Sequence, residues 1–150
     1  MFKRSILLLS ISAIIVFNVF AGGLSSNWGE VVIANLESGK SCYLNEIAGA
    51  PFAVTNNFQD TVPLIAEIVL PQKSELKKGY EILPSVDWVK INEPQFEVGG
   101  SKTKVIDLIV TIPSEGKYAG KKYQFWVWTH TAGKAVGVGL KSRILINIRK

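Results

Sequence analysis

Lys104-Val-Ile-Asp-Leu-Ile-Val-Thr-Ile-Pro113, Tyr118-Ala-Gly-Lys-Lys-Tyr-Gln-Phe-Trp-Val-Trp-Thr-His130 and Gly139-Leu-Lys-Ser-Arg-Ile-Leu-Ile-Asn-Ile148 are three β-rich runs parted by Gly- and Pro-containing breaks. The last run alternates with period two. Leu140, Ser142, Ile144, Ile146 and Ile148 share one face, and Lys141, Arg143, Leu145 and Asn147 share the other. In the middle run Tyr123, Phe125 and Val127 face one way, and Gln124, Trp126, Trp128 and His130 face the other. The first run is apolar on both sides, which suits a strand covered in part on both faces. No segment keeps a 3.6-residue period.

The same writing extends upstream. Gly29–Leu36 reads as a first strand, Ser41–Leu44 as a short one and Phe52–Thr55 as another. Val62–Leu70 places Leu64, Ala66, Ile68 and Leu70 on one face, with Pro63 at an edge or at the strand start. Residues 71–84 are the least regular, with one helical turn expected over Glu75–Lys78. Val86–Ile91 and Pro94–Val98 close the set, and Thr103–Ile112 is expected to be a single strand. Gly22–Asn27 reads as a short mobile lead. Gly133–Gly139 reads as the hairpin connection between the last two strands. Seven to nine short strands with turns between them predict an all-β, immunoglobulin-like antiparallel β-sandwich, with a closed barrel as the competing architecture.

Residues 1–21 read as an export signal. Lys3 and Arg4 form a positive start, Ile6–Phe17 is apolar but for two serines, and Val19-Phe20-Ala21 suits cleavage before Gly22. The apolar span is shorter than the roughly 20 residues a bilayer requires, which disfavours a retained anchor. The membrane is therefore met only during export, and the destination is periplasmic or extracellular. Residues 22–150 then form one domain, large enough for its own core. Cleavage removes two of the 17 basic residues and none of the 12 acidic ones, leaving +3 of the formal +5. The remaining basic residues are scattered, as at Lys77-Lys78 and Lys121-Lys122, so no nucleic-acid stripe is formed.

Catalytic chemistry finds little support. Cys42 is the only cysteine and His130 the only histidine. No glycine-rich elbow precedes Cys42 and no carboxylate is spaced to orient His130, so a nucleophile–base pair is not expected. One His and one Cys with dispersed Asp87, Glu93 and Glu97 do not spell a zinc shell, and Asp60, Asp87 and Asp107 match no calcium loop. Gly133-Lys-Ala-Val-Gly-Val-Gly139 lacks the strand–loop–helix setting of a phosphate loop. No cofactor or metal is expected. The better candidate is an aromatic surface from Tyr123, Trp126, Trp128 and His130, since aromatic platforms bind sugars and partner strands. Against it stands the tendency of large aromatics to pack inside.

Three patterns carry a family resemblance. They are Asn56-Asn57 with Asp60-Thr61-Val62 before a long apolar strand; Trp88 with Phe96-Glu-Val-Gly-Gly-Ser-Lys102 and Leu108-Ile-Val-Thr-Ile-Pro113; and Gly116-Lys-Tyr-Ala-Gly120 with Tyr123. The chain resembles the bridge-free immunoglobulin-like domains of bacterial cell-surface and periplasmic proteins, including WxL-interacting surface proteins and the N-terminal domain of pilus chaperones. The resemblance implies a scaffold that binds rather than catalyses. Both kinds of protein carry a second domain that these residues do not supply, so capture of a subunit in a two-domain cleft is not expected. The expected function is that of an exported, non-catalytic binding module of the cell envelope, contacting a protein by edge strand or aromatic surface. A peptidoglycan or other glycan binder is the alternative, and a small hydrolase a distant third.

Overall fold

The computed structural model describes residues 17–21, 23–133 and 137–150. The start of the export signal and Lys134–Val136 of the last connection lie outside them. The strands are β1 (Phe17–Ala21), β2 (Leu24–Leu36), β3 (Ser41–Tyr43), β4 (Ala53–Asn56), β5 (Val62–Val69), β6 (Glu81–Ile82), β7 (Val89–Ile91), β8 (Gln95–Val98), β9 (Thr103–Val105), β10 (Leu108–Thr111), β11 (Lys122–Thr131) and β12 (Gly139–Ile148). One short helix, α1 (Leu44–Ile47), follows β3. The large sheet runs β8-β5-β11-β12-β2-β4-β9, with β1 beside β2 and β6 beside β11; a small sheet runs β3-β10-β7. This is the expected immunoglobulin-like sandwich, bent towards a barrel.

β2 produces the bend. Its first residues, Leu24–Ser26, pair antiparallel with β4, and its second half, from Glu30, pairs parallel with β12. A strand that crosses from one layer to the other must change the face it buries. Leu24, Ser26 and Trp28 point inward, then Val31 and Ile33, then Leu36. The first phase change falls at Gly29–Glu30. The second falls at Asn35, whose φ of 63° is left-handed, a region Asn tolerates better than most residues. A bulge in the β2–β12 register accompanies it.

Gly22–Asn27 is therefore not a mobile lead among its described residues. Asn27 fixes it: its side chain donates to Pro51 O at 2.7 Å and accepts from Ala53 N–H at 2.9 Å. The polar Ser25, Ser26 and Asn27 disguise the strand, because their partners are on β4 rather than in the local sequence. β1 belongs to the segment read as the export signal, and its backbone pairs antiparallel with Leu24–Glu30.

Thr103–Ile112 is two strands. The inward set is Ile106, Leu108, Val110 and Ile112, an unbroken alternation. The ladder nonetheless changes partner at Ile106–Asp107, from β4 to the small sheet. Asn45 covers the step, its amide donating to Ile106 O at 2.9 Å and to Asp107 Oδ1 at 3.1 Å. The helical turn of residues 71–84 lies at Lys73–Glu75, two residues earlier than expected, and Val86–Trp88 is a 3₁₀ turn before β7.

The core lies between the layers. Trp28 and Phe52 pack with ring centroids 5.3 Å apart, and Trp88 meets Tyr118 and Tyr123 edge-on at 4.7 and 5.6 Å. Such pairs add about 1 kcal/mol each beyond the area they bury.

Glu30 sits where β2 joins β12. Burial pushes its carboxyl up, but hydrogen bonds and charge from Lys77 and Arg143 outweigh this and hold it below its ordinary 4.5. A lowered carboxylate stabilises the fold above its ordinary value, and that contribution is lost as pH falls through the lower folded value. Glu30→Gln is expected to lower stability by about 1 kcal/mol at neutral pH. The gap to the parent should close on acidification below 4.5, as checked by urea titrations across pH.

Candidate functional site: an outward aromatic row

β11 is an interior strand of the large sheet, flanked by β5 and β12. Its residues alternate strictly. Tyr123, Phe125, Val127, Thr129 and Thr131 face the core, and Gln124, Trp126, Trp128 and His130 face away from it. Register pairing builds three rungs on the outer face: His130 with Gly139 and Ile65, Trp128 with Lys141 and Glu67, and Trp126 with Arg143 and Val69. Arg143 in turn aligns with Glu30 of β2.

Each rung is held. The Trp128 and His130 rings lie 4.2 Å apart and 32° from parallel. His130 Nε2 meets Glu67 Oε2 at 2.8 Å. Gly139 supplies the floor, since a Cβ there would come within 2.8 Å of the Trp128 indole nitrogen. The Arg143 guanidinium lies 4.8 Å above the Trp126 ring and Lys141 Nζ lies at 5.8 Å, so the ring carries cations on its face. Arg143 is anchored by donating to Glu30 Oε2 at 3.0 Å. Trp128 is 37% exposed and Val32, two residues along β2 from Glu30, is 49% exposed, while Trp126 and His130 are half-buried.

At the Gln124 end the row is closed. Residues 71–83 cross this face after β5. Gln124 is fully buried beneath them, donating to Glu75 O at 3.0 Å and accepting from Lys77 N–H at 2.8 Å. Leu145, aligned with Gln124, is buried on the outer side in the same place.

The sequence reading thus needs one correction at the candidate site. Tyr123 does not share this surface; it is 4% exposed and packs inward on Trp88. Among the four tryptophans, Trp28 and Trp88 are core residues, whereas Trp126 and Trp128 face outward. Lys141, Arg143, Glu67 and Gly139 were not singled out, because only the inter-strand register makes them neighbours of Trp126 and Trp128.

Cys42 and His130 are not brought together. Cys42 lies on β3 of the small sheet, and His130 on the outer face of the large one. Cys42 is half-buried, its Sγ 3.8 Å from Val110 O, and burial pushes its thiol up from an ordinary 9.0. A thiol raised in this way stays protonated and is a poor nucleophile near neutral pH. Iodoacetamide is expected to label it at least about tenfold more slowly in the folded protein than in guanidinium, as read by intact mass. Among the described residues no three His, Cys, Asp or Glu side chains gather to hold a metal.

The fold as a whole has counterparts among solved structures. PapD-like domain 7 of human CEP192 superposes over 100% of this chain and 98% of that domain, with a TM-score of 0.60 at 6% identity. The fold is PapD-like. The periplasmic chaperone SfaE matches with a TM-score of 0.51 at 18% identity, over 85% of this chain and 57% of the chaperone. A putative carbohydrate binding protein from Bacteroides ovatus matches at 0.57 and 11% identity, over 86% of this chain and 37% of that protein. The chain thus spans little more than half the length of the chaperone. At these identities the likeness is one of fold. No family model and no curated protein sequence matches the chain.

Proposed function

We propose that this PapD-like chain is an exported, non-catalytic binding module of the bacterial cell envelope, and that its outward aromatic row contacts a partner protein. The observation that carries the reading is Trp128. It is exposed on the solvent side of β11 and held flat between His130 and the Gly139 floor. Tryptophan and arginine are the residues enriched at protein interfaces, and Trp126 under Arg143 supplies both. Half-buried Ile65 and Val69 and exposed Val32 widen the apolar area beyond the two indoles. A saccharide slot would want converging polar groups around one aromatic platform. Here two of the polar neighbours are bound elsewhere: Glu67 holds His130 and Arg143 donates to Glu30.

Export rests on the signal read at residues 1–21, with the mature chain beginning at Gly22. A non-catalytic role is supported by the raised thiol of Cys42 and by its separation from His130 on a different sheet.

The test places a photo-crosslinking amino acid at Lys141, beside Trp128, in the exported protein, with one at Lys73 outside the row as control. A discrete protein adduct from the Lys141 position alone is expected. No adduct, with sedimentation of the purified protein on isolated peptidoglycan, would replace the protein partner by a glycan.

A further inference from the structure

A fork opens in the large sheet where β2 changes partners. Leu24–Ser26 pair with β4, and only from Glu30 does β2 run beside β12. β1 lies in the fork, paired antiparallel with β2 and close to β12. Its register sets Ala21 opposite Leu24, Phe20 opposite Ser25 and Val19 opposite Ser26. On the β4 side, Gly23 C=O accepts from Asn57 N–H at 2.6 Å. Backbone groups alternate along a strand, so the N–H and C=O of Leu24 and of Ser26 face β1. Across the fork, Val138 C=O accepts from Thr131 N–H at 2.9 Å. The same alternation turns the N–H and C=O of Gly139 and Lys141 away from β11, towards the space that β1 occupies.

With cleavage before Gly22, β1 departs and the fork stands open. β2 does not swing across to close it, because it is tied on the other side. Asn57 Nδ2 donates to Ser25 Oγ at 3.1 Å, and the Asn27 side chain is bonded to Pro51 and Ala53. Gly23 lies under the Phe58 ring, with no room for a Cβ. The first strand of the mature chain is therefore held in place with one edge unpaired. Such an edge is a template for another strand.

We infer that, once the export signal is cut, the fork between β2 and β12 receives an extended, uncharged segment of a partner protein, antiparallel to β2 and in the place of β1. β1 specifies the chemistry. Phe17-Asn-Val-Phe-Ala21 carries no charge. Leu24 and Ser26 are buried with β1 in place. Cross-strand neighbours share a face, so the residues opposite these two join the buried face and must be small and apolar, as Ala21 and Val19 are. Ser25 is half-buried on the other face, so a larger or polar residue fits opposite it. A second copy cannot supply the segment from its own start, since its β1 is cut as well. The inference rests on cleavage before Gly22 and stands apart from the aromatic row.

The test begins with the intact mass of the protein purified from the envelope fraction. A chain beginning at Gly22 is expected. A chain that keeps Phe17–Ala21 fills its own fork and overturns the inference, while leaving the aromatic row untouched. The mature protein is then titrated with a capped Phe17–Ala21 peptide bearing a two-lysine tail, and amide exchange is followed by NMR. Saturable slowing at Ser26 of at least about tenfold is expected. The same peptide N-methylated at Val19 lacks the N–H that faces Ser26 and should not protect. Trp126→Ala/Trp128→Ala should leave the protection unchanged, so its fate is separate from that of the Lys141 crosslink. In isolated envelopes, a photo-crosslinking residue at Ser25 should give a protein adduct that the peptide competes away. A Ser26 amide that the peptide does not slow at millimolar concentration overturns the proposal. Equal protection by the N-methylated peptide means apolar adhesion without strand pairing, and overturns it too. So does a Ser25 adduct indifferent to the peptide. Protection that rises with protein concentration alone makes the occupant a second copy, and the proposal fails.

Discussion

Gly100→Ala is expected to destabilise the protein by at least about 3 kcal/mol, a large part of the whole stability of a domain of this size. The reason is space. A Cβ at Gly100 would lie 1.8 Å from Gln59 O and 2.4 Å from Gln59 C, both backbone atoms that no rotamer change can move. Gly100 is clamped against the 57–60 turn because Asn56, buried at the base of that turn, ties the two segments together. Its amide donates to Asp60 O, Val98 O and Gly99 O at 2.8, 2.9 and 3.2 Å, and its Oδ1 accepts from Phe58 N–H at 2.9 Å. Asn56→Ala removes that knot without adding bulk and strands several backbone groups. A loss of about 2–4 kcal/mol is expected. Chemical denaturation of both variants checks the pair. If Gly100→Ala alone is mild, the turn can open cheaply and the clamp is not structural.

Trp126→Ala/Trp128→Ala is expected to reduce the Lys141 crosslink at least tenfold while the protein stays folded. Trp128 alone should cost less than about 1 kcal/mol of stability, because a large part of it already faces water. Trp126 should cost more, about 2 kcal/mol, since it fills the space beneath Arg143. The readouts therefore separate: near-ultraviolet circular dichroism and melting follow Trp126, and the adduct follows Trp128. Trp128→Phe should recover part of the adduct, as a flat apolar ring still lies against Gly139. Unchanged crosslinking in the double variant would remove the row from the partner contact and with it the central support for the proposed function.

What was legible in the sequence follows from where the information sits. β12 was readable because Leu140, Ser142, Ile144, Ile146 and Ile148 alternate onto the core face. The two sides of β11 were equally plain. Which side met water was not, since Tyr123 and Trp126 are both large aromatics, and only the second sheet packed on Tyr123 decides between them. The early half of β2 was missed because Asn27 answers to Pro51 and Ala53, more than twenty residues away. The break at Ile106–Asp107 left the alternation intact. What changed there was the strand alongside, and hydrophobic periodicity carries no record of a neighbour.

The parallel union of β2 with β12 also has a mechanical meaning. Tension applied at the start of one strand and the end of the other runs along both, in opposite directions. The register pairs from Glu30–Arg143 to Leu36–Ile148 must then slide past one another together and fail in shear. The antiparallel β11–β12 hairpin, pulled from its open end, would instead unzip one pair at a time. Single-molecule stretching from Leu24 and Ile148 should therefore meet a higher rupture force than stretching across that hairpin. A domain tethered at the cell surface and pulled by its surroundings would hold its shape until the whole clasp let go at once.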